Sequence, residues 1–535
     1  MPIAHTALIA RGDHPLARDL LEALRRVEPS IDHELVRPDA GKDDSRPCIY
    51  LPAPCDRYGM TPDLLEAEEV FQQCARLGKK KLVLLSSALI YGTGPGRQSL
   101  ADEAYGIRGS GRSIARQWKS LEALAGQYLQ GKLPVTVLRP VTVLPSSAML
   151  SRRLLAPFSV TIAGHDPVVQ LLSLADLAQA VLCALEHDRD GLFNVAPDSV
   201  VPLRAAIRMA GGHRVALPVT LQRIGGGSEA LEYLRYPWTV SNQKIKRELG
   251  FSPQQSSLAA LRKHRKTRQS VSEPEPSLDE FGLDRDYIEA YRKRLLRFLC
   301  DSYWRIEARG LEHIPRQGPA ILVGMHRGFV PFDGVMVLHL VMREAGRVPR
   351  FLTHPGLMKF PFIDNFVRKF GGVVACEASA DRVLESGGLL GVFPEGVDGA
   401  FALYRQAYRL KDFGRDSFVK LAVRHRAPII PFVTVGSAEI LPIFVRIKSR
   451  LWTRCTDWPW LPLSTFPWLP FPLPSRWHMR FLPPIQMDNQ HPREPAQERS
   501  AIKAISLEVQ TRMQQAVEQM IQRRKSVFFG SVFEK

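Results

Sequence analysis

A histidine and an aspartate share the stretch Met325–Gly334, Met-His-Arg-Gly-Phe-Val-Pro-Phe-Asp-Gly, with six residues between them. Some 60 residues on, Val392–Gly396 reads Val-Phe-Pro-Glu-Gly and adds a carboxylate on a turn. A histidine imidazole ordinarily changes charge near neutrality, a property that suits this residue type to a general base taking a proton from a hydroxyl, which makes His326 the candidate. Asp333 suits the partner that holds such a ring and stabilises the imidazolium. A buried histidine at a strand end would account for His326 alone, so the surrounding elements must decide.

Those elements fit a site at the end of a sheet. Ala320–Gly324 is predicted as a strand running into His326. Val373–Ala375, Gly391–Phe393 and Ile429–Val433 are further short apolar runs, and Tyr287–Tyr303 has helical character. In Ala496–Arg524 the residues Ile502, Ile505, Val509, Met513, Ala516 and Met520 recur at helical spacing, which predicts an amphipathic helix.

The order of these blocks resembles the glycerolipid acyltransferase superfamily, which moves a fatty acyl chain from a thioester to a hydroxyl. Tyr303–Ile314 leading into Gly318–Leu322 resembles its lead-in, Val392–Gly396 its third block and Pro428–Gly436 its fourth. Tyr408–Ala422 and the longer His–Asp loop resemble the branch that includes monoacylglycerol and diacylglycerol acyltransferases. The resemblance implies His326 as base, Asp333 as its partner, and Phe393, Pro394, Glu395 and Gly396 as acceptor-binding residues. Met325 stands where Asn is common. Ala378 stands where the superfamily has a phosphate-binding Arg, which removes a bidentate phosphate contact. Arg405, Arg409, Lys411 and Arg415 could replace it, or could form a solvated basic face; Arg409 is taken as the candidate. The donor implied is acyl-CoA or acyl carrier protein, with no cofactor or metal required.

The first half is organised differently. Thr6–Ala10, Cys48–Leu51, Lys81–Ser86 and Val135–Leu138 alternate with helical patterns at Pro15–Arg26, Thr61–Leu77 and Ser113–Leu129, which predicts a parallel sheet covered by helices. Leu82–Gly92, Leu138-Arg139-Pro140, Gly191–Pro197 and Glu248–Pro253 resemble, in order, segments of the extended short-chain dehydrogenases, the family of NAD-dependent sugar-nucleotide epimerases and dehydratases. Ser87 holds the position of that family's catalytic Ser and Lys119 that of its Lys, but Ala115 replaces the Tyr four residues before the Lys. Arg11, His14 and Ala17 stand where three glycines would let backbone approach a pyrophosphate. Ser87 and Lys119 therefore read as vestiges of a cofactor site, and this half as a degenerate fold kept for binding, shape or regulation. NAD(P) is not expected as a working cofactor.

The expected fold is α/β throughout: a degenerate NAD(P)-binding Rossmann/epimerase-like domain over 1–262, a linker over 263–283, and an α/β acyltransferase domain over 284–535. The linker rests on the basic run Arg262–Arg268 and the Pro-, Ser- and Glu-rich segment after it. Two other functions stay open: a bifunctional protein with an active N-terminal oxidoreductase or epimerase, and a non-catalytic lipid or carrier-protein binder.

A net charge of +18 over 535 residues attracts polyanions. No nucleic-acid motif accompanies it, so an anionic membrane surface or acyl carrier protein is the expected partner. The seven cysteines are odd in number and lack metal-type spacing, which suggests unpaired thiols in a reducing compartment. No signal peptide and no membrane span are expected, placing the protein in the cytoplasm and peripherally on the membrane's cytoplasmic face. Five of the eight tryptophans fall between Trp452 and Trp477. The proline-broken stretch Trp458–Pro474, with Arg446, Lys448, Arg450 and Arg454 nearby, reads as an interfacial loop; the alternative is a Trp-rich loop buried over the core.

Overall fold

Short apolar runs separated by amphipathic helices bury their surfaces by placing strands inside and helices on both faces. The computed structural model describes residues 5–533 except 12–13, 15, 38–45, 57, 96, 98–99, 107–112, 147–148, 188–189, 219–228, 264–277, 329, 415, 466–470 and 488–498. Two units emerge, Met1–Gly282 and Leu283–Lys535. Most of the predicted linker lies outside the described residues. Its end does not behave as a linker: Phe281 and Leu283 are buried, and Leu283 joins the apolar core of the second unit.

The first unit is built on β1 (His5–Ile9), α1 (Ala17–Val27), β2 (Asp32–Val36), β3 (Cys48–Tyr50), α2 (Leu64–Arg76), β4 (Leu82–Leu85), α3 (Ser113–Leu129), β5 (Val135–Pro140) and β6 (Gly191–Val195). Its six-stranded parallel sheet runs β2-β1-β3-β4-β5-β6. The order reverses between β1 and β3, the place where a doubly wound sheet opens a ligand crevice at its carboxyl edge. The strand β2, Asp-His-Glu-Leu-Val, has no apolar run to announce it. It pairs only with β1, and an edge strand tolerates such polarity. Helix α2 is capped by Asp63, whose carboxylate accepts from the N–H groups of Leu65 and Glu66.

The second unit adds α4 (Arg285–Tyr291), β7 (Glu307–Arg309), β8 (Ala320–Gly324), α5 (Phe332–Glu344), β9 (Pro349–Thr353), β10 (Val373–Val374), α6 (Glu377–Glu385), β11 (Leu389–Val392), α7 (Ser417–His425), β12 (Ile429–Val435), β13 (Ile443–Lys448), β14 (Trp460–Ser464), β15 (His478–Phe481) and α8 (Arg499–Arg523). Its seven-stranded sheet runs β7-β15-β12-β8-β11-β9-β10. Only the β12–β15 pairing is antiparallel. The central strands β8 and β12 are buried along their whole length, as sequences apolar at every position but Thr434 require. Beyond α4 the chain stays helical to Tyr303 but widens into π turns. Trp304 then stacks on Trp477 with ring centroids 4.6 Å apart, sealing one edge of the core.

His478 on β15 is wholly buried, and its Nε2–H donates to the Gly530 carbonyl at 3.3 Å. Burial holds its imidazole at about 4 instead of the ordinary 6.5. The unfolded chain thus binds a proton that the folded chain refuses, and stability falls as pH drops from 6.5 to about 4. The loss should be about 3 kcal/mol. Urea titrations of wild type and His478→Gln across that window should show a flatter acid limb in the variant; equal slopes would show that His478 contributes no linkage.

Candidate active site

Parallel pairing explains why two sequence blocks so far apart meet. Val323 of β8 lies level with Val392 of β11, so the chains leaving both strands at their carboxyl ends run side by side. The first carries His326 and the second Phe393, Pro394 and Glu395. Gly324 lets the β8 exit pass under a phenyl ring: a Cβ there would stand 2.0 Å from Phe432 Cζ.

His326 Nδ1 lies 3.0 Å from Asp333 Oδ2. With the ionised carboxylate as acceptor, Nδ1 carries the proton and Nε2 presents its lone pair. Asp333 sits in the first turn of α5 and is fully buried, while the His326 side chain keeps 12% exposure. The same Oδ2 accepts the Arg327 backbone N–H at 2.8 Å, so one oxygen fixes both the ring and the peptide beside it. The Phe393 ring lies 5.2 Å from the imidazole and is itself stacked on Phe351, walling one side of the base. His326, Asp333 and Phe393 are thus brought together as the spacing suggested.

Glu395 is not. The resemblance implied an acceptor-binding carboxylate, but its side chain is only 1% exposed and both oxygens are engaged within the protein. Arg327 Nη1 donates to Oε2 at 2.7 Å and Nη2 to Oε1 at 3.1 Å, while the Lys411 N–H also donates to Oε1 at 2.7 Å. Gly399 makes this packing feasible, since a Cβ there would come 2.6 Å from Glu395 Cβ. The expectation for Glu395 is therefore corrected to an internal ion pair. Pro394 is half-buried and Gly396 exposed on the same turn.

Arg327 was missed because a basic residue beside the candidate base reads as solvated. It is instead one of the largest fully buried side chains in the protein. Besides Glu395 it donates to the carbonyls of His326 and Ala407. The usable signal was the reciprocal one: an unassigned Arg and an unassigned Glu in two blocks that the fold must bring together. The segment Ala407–Lys411 is held in turn by α8, with Gln514 accepting from the Leu410 N–H at 2.8 Å and Gln510 donating to the Lys411 carbonyl at 3.0 Å. Tyr408 donates to Glu439, which also pairs with Arg524. Of the candidate phosphate contacts, Arg405 and Arg409 are exposed, Lys411 donates to Gln406 at 2.9 Å, and Arg415 lies outside the described residues.

In the first unit Ser87 caps a short 3-10 turn at the end of β4, accepting from the Leu89 N–H at 3.2 Å. Lys119 is exposed on α3. One turn further along α3, Glu122 makes a bidentate pair with Arg139 and accepts from Ser86. Tyr91 joins that network through Arg139 and Asn194. Burial pushes its phenol up to about 12, so it is no acid or base near neutrality.

Residues 305–435, which span His326, Asp333 and the Phe393–Gly396 turn, match the Acyltransferase family. The chain belongs to the acyltransferase family through its C-terminal unit. An uncharacterized protein of Mycobacterium tuberculosis is 36% identical over 261 residues, covering 48% of this chain and 72% of that protein. One from Mycobacterium leprae is 34% identical over 261 residues, covering 48% and 70%. A Bos taurus protein named "DGAT1/2-independent enzyme synthesizing storage lipids" is 28% identical over 133 residues, covering 25% of this chain and 39% of its own. Among solved structures, MoeE5 in complex with UDP-glucuronic acid and NAD is similar over 48% of this chain and 96% of that chain, with 17% identity and a TM-score of 0.39. The complex of Thermus thermophilus UDP-glucose 4-epimerase with NAD covers 50% and 100%, at 16% identity and a TM-score of 0.39.

Proposed function

We propose that the second unit transfers a fatty acyl group from acyl-CoA or acyl carrier protein to the hydroxyl of a glycerolipid or lysophospholipid. One observation carries this: the 3.0 Å pairing of His326 Nδ1 with buried Asp333, which aims the free Nε2 edge outward. Nε2 takes the acceptor's proton as its oxygen attacks the thioester carbonyl. The tetrahedral intermediate collapses, the C–S bond breaks, and the imidazolium returns the proton to the leaving thiolate. No metal or cofactor enters the scheme, and among the described residues no cluster suited to a metal ion occurs. The similarity to a protein named for storage-lipid synthesis favours a neutral glycerolipid acceptor, as does Ala378 in the place of a phosphate-binding Arg. The test is radiolabelled acyl transfer from both donors to glycerol, monoacylglycerol, lysophospholipid and long-chain alcohol; no turnover on any of them would favour the non-catalytic binder. The first unit is proposed to carry no hydride chemistry.

Membrane contact belongs to the same proposal, with a changed anchor. Among the described residues no helix is long and apolar enough to cross a membrane. The interfacial reading of Trp458 is overturned: its indole is buried between Phe360 and Phe401. Trp452 and Trp460 are half-buried, Arg446 lies over the Trp460 ring, and Trp468 falls outside the described residues. The outward apolar groups are instead Phe444, Val445 and Ile447 on β13, then Leu451 and Phe471, with Lys448, Arg450 and Arg454 exposed beside them. A bulge between Ile443 and Val445 turns consecutive side chains outward. Apolar groups ringed by cations suit an anionic lipid surface, where each inserted side chain contributes about 1.5–3 kcal/mol. Phe444→Ser with Leu451→Ser should lower binding to anionic vesicles at least about tenfold in high salt. Co-sedimentation unchanged by the pair would remove this surface from consideration.

A further inference from the structure

The carboxyl ends of β3, β4 and β5 open on a cavity of about 140 Å³ in the first unit, and the acyl-transfer scheme does not use it. It lies where a doubly wound sheet ordinarily takes its ligand. Leu85, Val143, Leu177, Trp118, Tyr233 and Trp238 form much of its lining, and among the described residues no carboxylate, ammonium or guanidinium faces it. Trp118 is pinned as a wall by its Nε1–H, which donates to the Met60 carbonyl at 2.7 Å.

This lining is wrong for a dinucleotide. A pyrophosphate brings two negative charges and needs exposed amides or cations. The Leu16 N–H at the start of α1 is already given to His14 Nδ1 at 3.1 Å. With Nδ1 accepting, Nε2 is left to donate to the Pro52 carbonyl at 3.2 Å, which fixes the ring as a neutral tautomer.

Two polar groups in the lining do ask for a ligand. Trp238 Nε1–H and Ser146 Oγ are buried there without a hydrogen-bond partner among the described residues, and Trp238 is only 7% exposed. Such groups are costly unless something completes them. Both can donate, so the missing piece is an acceptor oxygen. An ionised carboxylate does not fit, because it would surrender its hydration with no cation to replace it. The volume compares with the ~150 Å³ apolar cavity that accepts benzene, enough for a small head and its first carbons, with the remaining chain leaving through the mouth.

We propose that this cavity binds a neutral single-chain lipid, an alcohol or a monoacylglycerol, with its head oxygen between Trp238 and Ser146. The site is built from residues of the first unit and its binding does not depend on the acyl-transfer chemistry. Calorimetry on the full chain tests it with decanol and monodecanoylglycerol, and with decanoate, NAD+ and NADP+ as comparators. One of the two neutral lipids, or both, should saturate at one per chain, and which binds identifies the head. Decanoate should bind at least about tenfold more weakly. Trp238→Phe keeps the ring and loses the N–H, and Ser146→Ala loses the hydroxyl; each should weaken binding about three- to tenfold. Val143→Phe should block the cavity, while His326→Ala should leave this binding in place. Absence of saturable lipid binding overturns the proposal, as does binding indifferent to Trp238→Phe, Ser146→Ala and Val143→Phe. Micromolar binding of NAD+ or NADP+ that Val143→Phe abolishes overturns it too, and restores the dinucleotide reading.

Discussion

Replacing His326 by alanine should lower acyl transfer about 100- to 10,000-fold, near the upper end of that range, without unfolding the protein. The upper end is expected because an alcohol is a poor nucleophile until its proton leaves, and the described residues around the imidazole offer no second base in contact with it. The fold should survive because the ring is partly exposed and its one hydrogen-bond partner, Asp333, keeps the Arg327 N–H when the ring is gone. Asp333→Asn should be less severe but still large. The amide oxygen can take the place of Oδ2 and keep both the ring and the Arg327 N–H, but the negative charge that stabilises the imidazolium is gone. Single-turnover rates with either donor, set beside circular dichroism of each variant, check both substitutions. Wild-type turnover in His326→Ala would make the pair structural.

Much of this site was legible in sequence because its parts are local. His326 follows an apolar strand, Asp333 opens the next helix, and the Phe-Pro-Glu-Gly turn ends another strand, so type and spacing placed all three at one sheet edge. What escaped was pairing across the fold. Glu395 looked free to meet a substrate because its cation, Arg327, is 68 positions away and sat in a different block. The tryptophans failed likewise: indole chemistry suits an interface, but Trp458 had Phe360 and Phe401 to pack against, and composition does not show which aromatic is covered. Asp32–Val36 hid because an edge strand tolerates polar residues, and His478–Phe481 because a four-residue strand that carries His478 and Arg480 leaves no apolar run. In the first unit the sequence foresaw the loss of glycines and of the catalytic Tyr. It could not foresee that His14 would occupy the Leu16 amide or that an apolar cavity would remain.

Glu395→Gln should destabilise the second unit by roughly 3–5 kcal/mol, because it leaves the Arg327 guanidinium buried beside a neutral amide. That is a large part of the ~5–15 kcal/mol that holds a domain folded. The alternative from sequence, a carboxylate that grips the acceptor, makes the opposite forecast: normal stability with a raised KM. The two separate cleanly in urea titrations run beside kinetics. Arg327→Met alone should be about as damaging, since it strands the carboxylate. Arg327→Met with Glu395→Leu should recover much of the loss, because two apolar groups need no counter-charge. Catalysis should not recover with it. Arg327 Nη1 donates to the His326 carbonyl at 2.8 Å, and its Nε–H reaches the Ala407 carbonyl on the segment that α8 holds. The apolar pair would refill the volume without tying the base's own peptide to that segment. A double variant that is stable but slow, with kcat reduced more than KM is changed, would mark Arg327 and Glu395 as positioning residues; wild-type stability in Glu395→Gln with only KM raised would return Glu395 to the acceptor.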